Sequence, residues 1–172
     1  YREFRDMNVV SISNAQRAPL PWANWMGTVY HGLPNDLYQA NIRPGKYLAF
    51  LGRISPEKRA DRAIEIAKRS GLPLKIAAKV DVVDREYFNS QIRPLLDHPL
   101  IEYVGEIGEK EKNEFLGNAR ALLFPIDWPE PFGLVMIEAM ACGTPVIAYP
   151  MGSVPEIINE GVTGLIVNSI DE

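Results

Sequence analysis

From Lys46 onward, short runs of apolar and β-branched residues alternate with stretches of helical pattern, and this alternation constrains the fold more than any other feature of the sequence. The strand-like runs are 47–51, 74–78, 101–104, 121–124, 146–148 and 164–167. Helical patterns fill 56–70, 85–96, 110–118, 133–141 and 154–159. Repeated strand–helix alternation is the signature of βαβ units, and each strand is nearly continuous in hydrophobicity, as strands covered on both faces must be. Right-handed crossovers then predict an α/β fold with a Rossmann-like, doubly wound parallel sheet of about six strands. In such sheets ligands sit at the carboxyl ends of strands, so chemistry is expected in the loops after Leu51, Ala78, Val104 and Phe124.

The remaining properties narrow the function classes. With 172 residues, 47% of them hydrophobic, the chain can bury an ordinary core. Its formal charge of −4 is spread rather than blocked, which argues against a nucleic-acid partner. No apolar stretch approaches the roughly 18 residues of a membrane span. Cys142 is the one cysteine. In the run Met136–Cys142 it reads as a small core residue, and the absence of disulfides fits a reducing compartment. The charged start and strand-like end read as cuts in a longer chain. Residues 1–45 differ from the rest: 9–12 look strand-like, a Pro- and Trp-rich stretch follows, and 27–44 read as a linker containing one strand near Thr28–Gly32.

Two clusters carry chemistry. In Gly52-Arg53-Ile54-Ser55-Pro56-Glu57-Lys58 a tight turn leads from strand to helix, with Ser55 placed to cap and Pro56 suited to the first helical position. Free N–H groups there, with Arg53 and Lys58, would hold a diphosphate without a metal. The plainer alternative is a solvated helix start, with Lys58 and Arg59 loosely paired to Glu57 or Asp61. In the second cluster, Phe124 to Val146, a Pro-stiffened loop enters a helix that is apolar except for Glu138. A buried carboxylate needs a partner, either an ion pair with a nearby Arg or Lys or a ligand hydroxyl. Glu130 lies eight residues earlier, at the helix mouth, and the N–H groups of Phe132, Gly133 and Leu134 are the open donors of a helix start.

Glu130 and Glu138, within Pro-Phe-Gly-Leu and Glu-Ala-Met-Ala-Cys-Gly-Thr-Pro-Val, resemble the E-x7-E motif of glycosyltransferase family 4, retaining enzymes with the two-domain GT-B fold. The likeness runs from about Thr28 to Val167. It includes Gly52-Arg53 with Lys58, Gly152-Ser153-Val154-Pro155-Glu156 and Gly161-Val162-Thr163-Gly164. It implies one half of a GT-B fold: 1–29 as the end of an acceptor domain, 30–45 as interdomain linker and 46–172 as the nucleotide-sugar domain. It implies a nucleoside diphosphate sugar as donor, no cofactor or metal, an acceptor bound by the absent amino-terminal half, and a cytoplasmic location open to membrane association.

Residue by residue, the resemblance gives Arg53 and Lys58 the donor diphosphate and its stabilisation on leaving. Glu138 takes the ribose hydroxyls and Glu130 lies near the donor sugar. Backbone groups of Phe132, Gly133 and Leu134 meet sugar or phosphate, and Val104, Gly105, Glu106 and Ile107 line the base. Catalysis falls to Arg53, Lys58 and Glu130. No Asp-x-Asp metal motif occurs. One departure is Ala78-Lys79-Val80-Asp81 where the family often carries Gly-x-Gly, which leaves the base and the role of Lys79 open. His31 reads as a hinge residue and His98 as exposed. A sugar-nucleotide epimerase and a non-catalytic nucleotide-sugar-binding module are the alternatives; a dehydrogenase is disfavoured because no Gly-x-Gly-x-x-Gly follows the first strand.

Overall fold

The computed structural model describes residue 3, residues 5–43 and residues 45–172. Tyr1, Arg2, Phe4 and Pro44, which belong to the expected leading segment and linker, lie outside the described residues. Two short parallel strands, β1 (Val9–Ser11) and β2 (Trp25–Thr28), pair with each other. The main sheet comprises β3 (Tyr47–Arg53), β4 (Leu74–Lys79), β5 (Ile101–Gly105), β6 (Ala119–Phe124), β7 (Val146–Ala148) and β8 (Gly164–Ile166). All its pairings are parallel, in the order β5-β4-β3-β6-β7-β8. Chain order therefore reverses between β3 and β6, and this switch point opens the crevice where doubly wound sheets take ligands.

Alternation along the central strands sends side chains to two cores. Leu48, Phe50, Ile76, Ala121 and Leu123 pack on one face with Ile54, Ile64 and Ile92. Tyr47, Ala49, Leu122 and Phe124 pack on the other with Met136, Ala139, Cys142 and Val146. Helix α1 (Ala60–Ser70) buries Ala60, Ala63, Ile64 and Ala67, the three-and-four spacing of one helical face, and ends at Gly71 in the left-handed conformation. The crossovers on the other side carry α3 (Glu109–Gly117) and α4 (Leu134–Ala141); α5 (Val154–Ile157) is a single turn. Cys142 is fully buried, and burial first, with Glu138 second, pushes its thiol up to about 11, which leaves it a core residue.

Several elements differ from the sequence-based expectation. Gly52 and Arg53 belong to β3, paired with Ala78 and Lys79, so the turn begins only at Ile54. The expected helix 56–70 is broken: Pro56–Lys58 forms a 3-10 turn, and Arg59 sits at φ 55 before α1 starts. Ser55 does not cap; its Oγ is buried without a hydrogen-bond partner. The expected helix 85–96 is a short α2 (Arg85–Tyr87), a π-helical turn (Phe88–Ile92) and a 3-10 turn (Arg93–Leu95), where Pro94 lacks the N–H an α-helix needs. The strand expected at Thr28–Gly32 instead ends at Thr28. His98 is half-buried, its Nδ1 accepting from the Leu100 N–H at 3.3 Å.

Residues 38–41 of the linker are bonded to the main domain. Asn41 N donates to Cys142 O at 2.9 Å, Asn41 Nδ2 to Gly117 O at 2.7 Å, and Gln39 N to Asn113 Oδ1 at 2.7 Å. Tyr38 is buried and joins the core beside Phe115.

Candidate functional site

Two adjoining cavities open at the carboxyl ends of the central strands. The first, about 270 Å³, is lined by Gly52 and Arg53 at the end of β3, Lys58 from the following turn, Phe124 and Ile126 after β6, and Glu130, Gly133 and Leu134 at the mouth of α4. The second, about 310 Å³, shares Leu51, Gly52, Leu134 and Val135 with it and extends to Ala78, Lys79, Glu106, Ile107, Lys112 and Glu138. Together they form a cleft at the switch point.

In the first cavity the cations are already paired. Lys58 Nζ is hydrogen-bonded to Glu130 Oε2, which also accepts from Trp128 Nε1 at 3.0 Å. The same ammonium lies 5.3 Å from the Trp128 ring centroid and 5.7 Å from that of Phe124, within cation–π range. Arg53 donates to Glu57 Oε1 at 2.7 Å and stands 3.6 Å from Asp81 and 3.8 Å from Asp84. The bond to Glu57 pushes the pKa of this exposed guanidinium up, so it is charged at any working pH. An anion entering this cavity would have to displace these carboxylates from the two cations.

The walls are stitched by backbone. Asp127 N donates to Glu57 O at 2.8 Å, joining the loops after β3 and β6. Arg59 adds bonds to Asp61 at 2.7 Å and Asp127 at 2.9 Å, and Arg62 reaches Asp127 at 3.1 Å. Arg59 is thus held by Asp61 and Asp127 rather than lying free in solvent. Glycines 133 and 152 shape the mouth of α4. Gly133, at φ 80, leads into the helix, and a Cβ there would lie 2.7 Å from Met136 Cε. Gly152, at φ 59, packs so closely on Glu130 that a Cβ would lie 2.3 Å from its backbone N and O. Ser153 completes the support, its N–H donating to Glu130 O at 2.9 Å and its Oγ to Phe132 O at 2.8 Å. This Gly-Ser buttress is a role the sequence reading missed; its only signal was a Gly-Ser pair before Pro155.

Among the described residues, the N–H groups of Phe132, Gly133 and Leu134 donate none of the loop or capping hydrogen bonds, so the start of α4 offers open donors. The Phe132 side chain is buried, with His31 edge-on to its ring at a centroid distance of 5.0 Å.

In the second cavity Glu138 is 8% exposed and accepts from Lys112 Nζ at 2.9 Å, so the ion-pair alternative for this carboxylate is present. Lys112 was not foreseen, although its spacing from Phe115 and Leu116 places it on the inner face of α3. Burial works against its charge, but bonds to Glu109 and Glu138 outweigh it and raise its pKa. Lys79 is exposed and paired to Asp81 at 3.0 Å. Of the segment expected to line a base, Glu106 and Ile107 reach the cavity. Val104 instead lines a neighbouring groove of about 560 Å³ beside Tyr47, Lys75 and Phe115, which Ile107 also borders. Gly105 adds only its backbone turn, at φ 87.

The cleft joins two fixed cations and open helix-start donors to a carboxylate one cavity away, a set suited to an anion with a hydroxyl-bearing group attached. The model of the family described as glycosyl transferases group 1 matches residues 39–171. The chain belongs to this family. Among the relatives of this chain, the D-inositol 3-phosphate glycosyltransferase of Mycolicibacterium smegmatis is 27% identical over 98% of this chain and 41% of its own length. That of Mycobacterium marinum is 32% identical over 80% of this chain and 31% of its own. Solved structures agree on the fold, one half of GT-B. HepE of Anabaena, in complex with UDP and glucose, superposes with a TM-score of 0.80 at 20% identity, covering 93% of this chain and 49% of that one. AviGT4, a glycosyltransferase involved in avilamycin A biosynthesis, gives 0.80 at 27% identity, covering 95% of this chain and 50% of that one. The chain thus spans about half the solved chains, and less of the curated relatives, that it matches. Among the described residues no helix is long and apolar enough to cross a membrane, and no three His, Cys, Asp or Glu side chains gather as a metal site.

Proposed function

We propose that this chain is the donor-binding half of a retaining glycosyltransferase, which moves a sugar from a nucleoside diphosphate sugar to an acceptor held by an amino-terminal half. The observation that carries this reading is the single cavity at the switch point shared by Arg53, Lys58, Glu130 and the open start of α4, with Glu138 in the cavity that adjoins it. On this reading 46–172 form the nucleotide-sugar domain, 30–45 the linker and 1–29 the end of the acceptor domain. The neighbour that holds UDP and glucose supports a uridine nucleotide as the first donor to test.

Arg53 and Lys58 take the diphosphate, and in doing so exchange Glu57 and Glu130 for phosphate oxygens. Transfer leaves negative charge on the departing diphosphate, and cations held in place at the mouth of the cleft stabilise it as it forms. The open N–H groups of Gly133 and Leu134 add to that charge stabilisation. Glu130, freed of Lys58, faces the sugar, and Glu138 receives the ribose hydroxyls. The residues of this chain supply the cations, so the reading includes no metal and no cofactor beyond the donor. It also carries a cytoplasmic location. Closure of the two halves completes the site, so the isolated chain binds donor but transfers little sugar.

Calorimetric titration of the purified chain with UDP, GDP and ADP and their glucose and mannose conjugates tests this, alongside folded Arg53→Ala and Glu138→Ala variants. Saturable binding of one nucleotide class, weakened about tenfold or more in both variants, is expected. No binding up to about millimolar concentration, or binding indifferent to both substitutions, would sink the assignment.

A further inference from the structure

The carboxylate of Glu138 is the end of a polar chain that begins at buried Tyr38 in the linker and passes through the exposed Glu109 and half-buried Lys112. Tyr38, 8% exposed, donates its hydroxyl to Glu109 Oε1. The other oxygen of Glu109 meets Lys112 Nζ at 2.9 Å, and the same ammonium reaches Glu138 Oε1 at 2.9 Å. One lysine thus bridges two carboxylates, and each of its partners is fixed from a different element: Glu109 by the segment before β3, Glu138 by α4. Among the described residues no hydrogen bond ends on Glu138 Oε2, although Glu138 and Lys112 both line the second cavity.

A carboxylate on a single side chain can rotate, and a diol presents two hydroxyls in fixed geometry, so the orientation of the free oxygen decides how well both are met. We propose that Lys112 is the positioning residue of the donor site: by holding Oε1 of Glu138 it turns Oε2 toward the ribose diol, and the Tyr38–Glu109 contact fixes Lys112 in turn. This rests on the reading of the cleft given above. It gives the linker a part in donor recognition, since seating of Tyr38 against α3 sets the last member of the chain. Burial first, then the bond to Glu109 and the nearby Glu138 carboxylate, push the Tyr38 phenol well up, so it donates throughout the usable pH range.

The test measures discrimination rather than affinity alone. The chain is titrated with UDP, GDP and ADP, each beside its 2′,3′-dideoxy analogue, and the ratio of the two affinities is compared across variants shown by circular dichroism to be folded. The unaltered chain is expected to prefer the ribose form of its nucleotide by about tenfold or more. Lys112→Met should abolish that preference while leaving the dideoxy affinity within about twofold, and Lys112→Arg should restore most of it. Tyr38→Phe, which removes one hydroxyl from a packed ring, should lower the ratio by about threefold and serves as the variant of record if Lys112→Met does not fold. Equal loss of both affinities in Lys112→Met, or an unchanged ratio in the folded variants, overturns the positioning role while leaving the donor site standing. Absence of binding by the unaltered chain overturns both.

Discussion

Gly152 shows at the scale of one residue how the cleft depends on atoms far from any charge. Its φ of 59 is costly for any residue with a Cβ, and the space a Cβ would fill is already held by the Glu130 backbone at 2.3 Å. Gly152→Ala is therefore expected to lower stability by roughly 2–4 kcal/mol and to displace the loop that presents Glu130. Urea unfolding reads the first effect and nucleotide titration the second; a variant as stable as the parent would show that the loop yields without cost. Lys58 and Glu130 make the complementary point. Their contact is between oppositely charged groups that the proposed function assigns to different parts of the donor, so on that reading donor binding must part them.

At the scale of elements, the turn between β3 and α1 decides where those cations point. The sequence between Pro56 and Ser70 has the pattern of one helix, yet Arg59 adopts a left-handed conformation and divides it. Bonds to Asp61 and Asp127 hold Arg59 there, and the resulting kink leaves Lys58 facing the cleft. Both Arg59→Ala and Arg59→Gly lose those bonds, but only alanine retains the backbone strain. Arg59→Gly is expected to be the more stable of the two by about 1 kcal/mol in thermal or urea unfolding. Equal stability would mean that the turn relaxes once the ion pairs are gone. The irregular α2 region is a milder case, in which Pro94 and the pull of Ile92 into the core replace a regular helix with successive shorter turns.

Across the whole molecule, one carboxylate ties the leading strands to the main sheet. Glu156 on α5 accepts from the N–H groups of Asn14 at 2.8 Å and Ala15 at 2.7 Å, and from the Tyr30 hydroxyl at 2.9 Å. Burial opposes its charge, but these donors outweigh burial and hold its pKa below the ordinary glutamate value. A carboxyl depressed on folding stabilises fully above its unfolded pKa and loses that contribution as pH falls through the folded value. Docking of residues 9–30 is thus expected to weaken by about 1–2 kcal/mol as pH drops below about 4, seen as faster hydrogen exchange at Asn14 and Ala15. Glu156→Gln should show the weaker docking at neutral pH and lose most of the acid sensitivity. The same exchange profile in both proteins would remove Glu156 as the tie.

The sequence by itself determined the layers and their contents. Six strand-like runs and their intervening helical patterns follow from hydrophobic periodicity, a local property, and each run became a strand within one or two residues at either end. The cleft's principal residues were legible for the same reason: Arg53, Lys58, Glu130 and Glu138 stand beside strand ends or on an apolar helix, where a charge is conspicuous. Tertiary structure alone decided the pairings among them. Lys58 meets Glu130 across 72 positions and Lys112 meets Glu138 across 26; spacing from Phe115 and Leu116 marks Lys112 rather than Lys110 as inward, but only the packing of α3 beside α4 names its partner. The same holds for Val104, which lines a neighbouring groove rather than the cleft, for Ser55, whose expected capping bond the turn at Arg59 leaves unmade, and for Gly152, whose necessity comes from a backbone 22 residues earlier. Periodicity is written along the chain, whereas a partner is fixed only when strand order brings distant loops to the same end of the sheet.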